Sequence, residues 1–274
     1  MSGFRPRFFV PPGGAAGPVV TLDTDDSYHA LRVLRLRPGD ECEVATGAAV
    51  YAATLLPASA GGGSKSVQLS LGGRLEGWEA GAVYRRSVAL VQAFTRPTAL
   101  DWSVEKSTEA GASLIVLVQA AGSPRPSGKD GGARLARLTR IAREAAKQSK
   151  QPAIPPLESA PSFAAALGRL QLLGLTSILL DPPAEQTLYG LVASGAAEGG
   201  PSADAAAPRT SGVAALGSAG VALWVGPESG WTEAEREGLL QAGVVTARLG
   251  RGVLRTETAG PVAVAVARLA LGDW

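Results

Sequence analysis

The sequence has one cysteine, one histidine and no asparagine in 274 residues. A lone Cys42 excludes an intrachain disulfide. With His29 as the only histidine, the chain has no Cys/His set for zinc and no Ser-His-Asp or Cys-His apparatus of the usual kind, so no metal site is expected. Such sparing use of cysteine points to a reducing compartment: the cytoplasm, or an organelle stroma or matrix in a eukaryote. Long apolar runs are missing too. No window approaches the roughly 18 uninterrupted apolar residues of a membrane helix. The best candidate, residues 213–225, is short and carries Gly and Ser, so no membrane partner is expected. The opening Met-Ser-Gly-Phe-Arg-Pro-Arg lacks the apolar core of a secretory signal. Excess charge of one sign is also lacking. The net charge of +2 is too small to mark a nucleic-acid binder, so the placement of the arginines matters more than their number.

What is present is apolar content. Hydrophobic residues make up 46% of the chain against 18% charged, enough for the core of one large domain or two modest ones. Residues 1–80 read as β: short apolar runs at 7–10, 41–44, 50–56 and 67–71 are broken by Gly and Pro, as in a small barrel. Residues 27–36 suggest a short helix before the turn Pro38-Gly39-Asp40, and Gly61-Gly62-Gly63-Ser64 a hairpin loop. A linker at 72–81 follows. Residues 81–274 then alternate. Apolar strands are predicted at 88–94, 114–119, 178–180, 221–225 and 244–249. Helices are predicted at 99–110, 133–150, 232–242 and 260–271. Thr232 and Glu235 form a capping box for the third of these helices. Strands apolar on both faces, alternating with helices, predict an α/β domain with a covered parallel sheet. Residues 194–220, rich in Ala, Gly, Ser and Pro, read as a flexible surface insertion.

No G-x-G-x-x-G follows a strand, and the P-loop-like stretch from Gly122 to Asp130 has the wrong spacing and ends on an acid. Two other loops stand at strand ends. Gly226-Pro227-Glu228-Ser229-Gly230 follows strand 221–225, where open α/β sheets place their ligands. Taken alone it also reads as a plain strand-to-helix turn. Leu249-Gly250-Arg251-Gly252-Val253-Leu254-Arg255-Thr256-Glu257-Thr258-Ala259 leads into the last helix, with Thr256 or Thr258 as candidate cap. Glu257 suits a helix's first turn. Arg255 does not, because a cation at a helix N-terminus calls for a partner or an anionic ligand.

These loops, in this order, resemble the SPOUT methyltransferases, whose C-terminal chain is threaded into a trefoil knot. More narrowly, the chain resembles the RsmE group, which methylates N3 of a uridine in small-subunit ribosomal RNA. The resemblance runs nearly end to end. It takes in Arg7-Phe8-Phe9-Val10, the stretch from His29-Ala30-Leu31-Arg32 through Arg35-Leu36-Arg37-Pro38-Gly39-Asp40, Lys106-Ser107-Thr108-Glu109-Ala110-Gly111, Glu144-Ala145-Ala146-Lys147-Gln148-Ser149, the Gly226 loop and Leu254-Arg255-Thr256-Glu257-Thr258-Ala259. The chain departs from the family at Gly252 and Gln151, where members usually carry Arg.

The resemblance implies a PUA-like β-barrel for RNA over residues 1–80, a knotted methyltransferase domain over 81–274, a homodimer, and S-adenosylmethionine as methyl donor. The donor would be held by Leu180, Gly226, Pro227, Glu228, Gly230, Leu249, Gly250, Val253 and Leu254. Arg255 would stabilise the N3 anion of the uridine, with Glu257 orienting it or taking the proton. Ribosomal RNA or the small subunit would be the partner. Arg7, Arg32, Arg35 and Arg37 cluster in the first module, and Arg134, Arg137 and Arg140 lie three apart on one helix. A solvated face is the commoner meaning of one such stripe. Two stripes in an RNA-binding family point to phosphate contact by Arg7, Arg32, Arg35, Arg37, Arg137 and Arg140. Trp102 reads as core or dimer packing, and Lys106 with Glu109 as a structural pair. Two alternatives stay open on the sequence: an RNA-binding relative without catalysis, and a methyltransferase of this fold directed at another RNA atom.

Overall fold

In the computed structural model, residues 5–11, 17–57, 66–77, 84–124, 131–198 and 219–273 are described. The hairpin loop expected at 61–64, the end of the P-loop-like stretch at 125–130, and residues 199–218 of the expected insertion lie outside them. The chain divides into two compact units. One comprises Met1–Tyr84 and Ala146–Ile154, the other Arg85–Ala145 and Pro155–Trp274.

The first unit is a five-stranded sheet of order β1-β3-β4-β5-β2, with β1 (Arg7–Phe9), β2 (Val19–Thr21), β3 (Glu41–Ala45), β4 (Val50–Leu55) and β5 (Gln68–Arg74). Its pairings are antiparallel except β1 on β3. Successive side chains point to opposite faces, so Phe8, Val20, Val44, Leu55 and Leu69 meet in one core while Phe9, Ala45 and Val50 belong to a second, smaller one. β5 runs to Arg74, into the stretch expected to be linker. The helix expected at 27–36 is displaced. Asp23 accepts a hydrogen bond from the Asp26 amide at 2.8 Å and starts α1 (Thr24–Tyr28) earlier, and a single π turn (His29–Val33) follows.

Segment Ala146–Ile154 joins this unit through charge. Lys147 pairs with Asp26, which is fully buried. Arg7, 3% exposed, bonds Glu43 at 2.9 Å and donates to the carbonyls of Lys150 and Gln151. Lys150 bonds the same Glu43 oxygen at 2.9 Å. Apolar contacts add to these pairs, since buried Ala146 and half-buried Ile154 pack with Phe9, Ala45 and Val50.

The second unit is a six-stranded, all-parallel sheet of order β11-β9-β10-β6-β7-β8. Its strands are β6 (Ser87–Ala93), β7 (Leu114–Val118), β8 (Leu157–Ser159), β9 (Leu175–Leu180), β10 (Gly220–Val225) and β11 (Val245–Ala247). β7 and β10 are buried at every residue and β6 at six positions after Ser87, as apolar runs covered on both faces require. The helices are α2 (Pro97–Glu109), α3 (Gly131–Gln148), whose last turn belongs to the first unit, α4 (Phe163–Leu172), α5 (Leu188–Glu198), α6 (Glu233–Gln241) and α7 (Thr256–Ala270). The sequence reading missed β2, β8, α4 and α5. It also took residues 194–198 for the start of a flexible insertion, whereas they form the end of α5. The small residues there mimic a linker, but the alanines favour a helix and offset the cost of Gly195. The capping box at Thr232 and Glu235 is formed as expected. Among the described residues, no helix is long and apolar enough to cross a membrane.

Candidate active site

Four neighbouring strands of the second unit end on one side, and their following loops enclose a cleft of about 660 Å³. β9 contributes Leu180, Asp181 and Pro182. β10 contributes Val225 and the loop from Gly226 to Trp231. The chain after β11 contributes Leu249, Gly250 and residues 252–257, and Arg96 enters from beyond β6. All nine residues expected to hold the donor line this cleft, as do Arg255 and Glu257. Strand order explains the convergence: β10 lies between β9 and β6, with β11 outside β9. Distant loops therefore meet at the carboxyl edge.

Packing fixes the shape of the loop after β10. A Cβ on Gly226 would meet the Trp231 ring at 3.2 Å, and Trp231 stands edge-on to Phe163, which also meets Trp224. On the loop's other side, a Cβ on Gly122 would lie 1.9 Å from the Ser229 hydroxyl. Gly122 is thus a close-approach glycine for this loop, a reason that its P-loop-like neighbours concealed. Gly230 closes the turn at φ +77°, a conformation suited to glycine.

The last helix begins differently from the sequence reading. Neither Thr256 nor Thr258 caps α7; Arg255 occupies the cap position with φ −61° and ψ 149° and no side-chain cap bond. Thr256 turns inward instead. Its hydroxyl donates to the Gly226 carbonyl at 2.6 Å and accepts from Gln92 Nε2 at 3.1 Å. Buried demand for a hydrogen bond at the end of β6 outweighs the local cap.

The charges in the cleft alternate in sign. Arg96 donates to Glu228 through its backbone amide and its Nε, each at 3.2 Å. Burial pushes the Glu228 carboxyl up, but hydrogen bonds from its own and the Arg96 backbone, with the Arg96 side chain and charge, outweigh it and hold the group below the usual value. Arg236 pairs with buried Asp181 at 2.8 Å, which raises the guanidinium further. Arg255 differs from both. It is exposed, and among the described residues it has no ion-pair partner. The sequence reading missed Arg96, Trp231 and Arg236. The strand-end rule applied to β6 finds Arg96, and Trp231 adjoins the glycine loop. Nothing local marks Arg236, whose carboxylate partner lies 55 residues away.

The arginines expected to meet RNA divide. Arg32, Arg35 and Arg37 are exposed in the first unit, and Arg35 is held at φ 55°. Arg140 is exposed on α3. Arg137 is paired with Asp101, and Arg134 lies over the Phe94 ring at 5.5 Å. Arg7 corrects the expectation: it is buried and spends its donors on Glu43 and two carbonyls, so no phosphate reaches it. Trp102 is 51% exposed, which removes the core reading, with Lys106 over its ring at 5.1 Å. Lys106 bonds Glu109 at 2.8 Å, the structural pair expected.

A family model described as an RNA methyltransferase domain matches residues 84–268. Over 267 residues, 97% of this chain and 92% of the relative, the sequence is 31% identical to the ribosomal RNA small subunit methyltransferase E of Mycobacterium bovis. The chain belongs to this RNA methyltransferase family. The protein of the same name from Mycobacterium tuberculosis matches to the same extent. In structure, the chain is similar to ribosomal RNA small subunit methyltransferase E of Neisseria gonorrhoeae, solved bound to S-adenosyl methionine. The TM-score is 0.72 at 24% identity, with 97% of this chain and 98% of that one covered. That likeness carries the fold, and the family match carries the assignment.

Proposed function

We propose that this protein transfers the methyl group of S-adenosylmethionine to N3 of a uridine in small-subunit ribosomal RNA. The observation that carries the reading is the meeting of the residues from 226 to 230 and from 249 to 257 around one cleft, in a chain of this family. The cleft suits the donor's chemistry. Leu180, Val225, Leu249 and Trp231 give apolar walls for a purine, Gly226, Gly230 and Gly250 allow close backbone approach, and charges of both signs suit a zwitterionic tail. Leu180, Gly226, Pro227, Glu228, Gly230, Leu249, Gly250, Val253 and Leu254 would hold it. When bound, the sulfonium supplies a methyl group that needs no acid to activate it.

The chain's own task is then to place the nucleophile in line and to make it nucleophilic. Uridine N3 attacks only after losing its proton. The Arg255 guanidinium at the start of α7, with no ion-pair partner among the described residues, favours the N3 anion, and Glu257, in the first turn and half-buried, orients Arg255 or takes the proton. Arg32, Arg35, Arg37 and Arg140 remain the phosphate contacts of this reading, with Arg137 as a contact only if it leaves Asp101.

The trefoil threading and a homodimer belong to the same reading. The placement of β10 between β9 and β6 supports the first. Exposed Trp102, Val253, Leu254, Val262 and Leu269 in the second unit support the second. A reducing cytoplasmic or organellar compartment is proposed from the single, buried Cys42, whose thiol burial and the Glu43 charge push up to about 12. The test is incubation with small ribosomal subunits and labelled S-adenosylmethionine, followed by mass spectrometry of nucleosides. N3-methyluridine at one position is the expected product. Donor binding without incorporation would favour an RNA-binding relative, and a different methylated nucleoside would replace the target atom.

A further inference from the structure

Behind the cleft wall runs a buried polar chain. Ser103 Oγ donates to Gln92 Oε1 at 2.9 Å, Gln92 Nε2 donates to Thr256 Oγ1 at 3.1 Å and to the Ala93 carbonyl at 3.2 Å, and Thr256 Oγ1 donates to the Gly226 carbonyl at 2.6 Å. Ser103 and Gln92 are each 1% exposed and Thr256 7%. The directions are forced. An amide offers one acceptor and two donors, so once Gln92 donates to Thr256 the threonine proton is left for Gly226. A polar residue at the end of a buried central strand is otherwise unfavourable, and each of its groups is used.

Gly260 gives independent support. It lies inside the first turns of α7, where glycine weakens a helix relative to alanine. A Cβ there would stand 3.0 Å from Ser103 Oγ, 3.1 Å from Gln92 Oε1 and 3.3 Å from Leu90 Cδ2. The helix gives up local stability so that it can sit against this chain.

We infer that Gln92 and Thr256 are positioning residues that lock the Gly226 loop to the first turn of α7, fixing the distance between the donor-binding loop and Arg255. The inference rests on the proposed methyl transfer. Thr256 lies between Arg255 and Glu257 in sequence, so any slip of its hydroxyl moves both groups against the loop. Misplacement by about 1 Å at such a site lowers rate by about 10²-fold.

The full-length protein is compared with T256V, T256S, Q92M and G260A. Three quantities are read: amide hydrogen exchange at residues 226–230 and 255–257 without ligand, S-adenosylmethionine affinity by calorimetry, and single-turnover methylation of small ribosomal subunits at saturation. T256V and Q92M are expected to speed exchange in both segments and to lower the single-turnover rate about 10²-fold. T256S, which keeps the hydroxyl, should stay within about threefold of the parent. G260A, which removes no polar group, covers the case in which T256V fails to fold, and its expected loss is smaller but in the same two segments. Unchanged exchange in folded T256V and Q92M, or normal turnover despite faster exchange, overturns the inference. A parent protein that binds no donor or transfers no methyl overturns the function proposed above instead, and the exchange data still decide whether the lock exists.

Discussion

The first unit and the cleft of the second use arginine in opposite ways. In the first, Arg7 is buried, bonded to Glu43 and to two main-chain carbonyls, and surrounded by the further pairs Lys150–Glu43 and Lys147–Asp26. In the cleft, Arg255 is exposed at a helix start with no ion-pair partner among the described residues, and Arg96 stands between these extremes, exposed but tied to Glu228. The difference teaches that an arginine reports on ligands only when the fold leaves its donors unspent. A buried guanidinium bonded to a carboxylate and to main-chain carbonyls is a structural rivet, since removing its partners leaves an uncompensated charge.

Three substitutions test this contrast. Arg255→Ala is expected to have the largest effect, a loss of turnover of about 10³-fold, or ~4 kcal/mol of transition-state stabilisation. S-adenosylmethionine affinity by calorimetry should be nearly unchanged and the urea midpoint unmoved. Near-normal methylation by this variant would remove Arg255 from the mechanism. Arg7→Ala should show the reverse pattern. Stability falls by about 3 kcal/mol, because among the described residues Glu43 keeps Lys150 alone as an ion-pair partner, while the per-molecule turnover of the folded protein and the salt dependence of RNA binding stay as they were. A shallower salt slope in RNA binding would return Arg7 to the phosphate contacts.

The smallest effect belongs to Arg96 and Glu228. Glu228 is held below its ordinary value, so its contribution is full above the unfolded-state value near 4.5 and is lost as pH falls through the lower folded value. Arg96 is 73% exposed and the pair is screened, so the contribution is under about 1 kcal/mol. Urea unfolding between pH 3 and about 6 should show a slightly flatter acid limb for Glu228→Gln than for the parent. Identical limbs would mean that the pair contributes nothing to stability.

How much was legible in the sequence varies with the kind of signal. The apolar runs at 88–94, 114–119 and 221–225 announced a covered parallel sheet, because burial on both faces leaves no room for alternation. The glycine loop and the segment from 249 to 259 were legible as one site through their order along the chain, and they line one cleft. Short edge strands such as β2 and β8 were not, since three residues carry too little pattern. The roles of Arg7, Gln92, Gly122 and Arg236 were also hidden, each depending on a partner far away in sequence.

The sequence alone determined the class of the fold, the family, and the residue types around the cleft, because these follow from hydrophobic periodicity and from motifs whose members are neighbours in the chain. Only the tertiary structure decided which arginines are spent and which are free, that Thr256 turns inward where a cap was expected, and that residues 146–154 return to the first unit. Those outcomes are set by burial, where a polar group must find a partner wherever the packing has placed one.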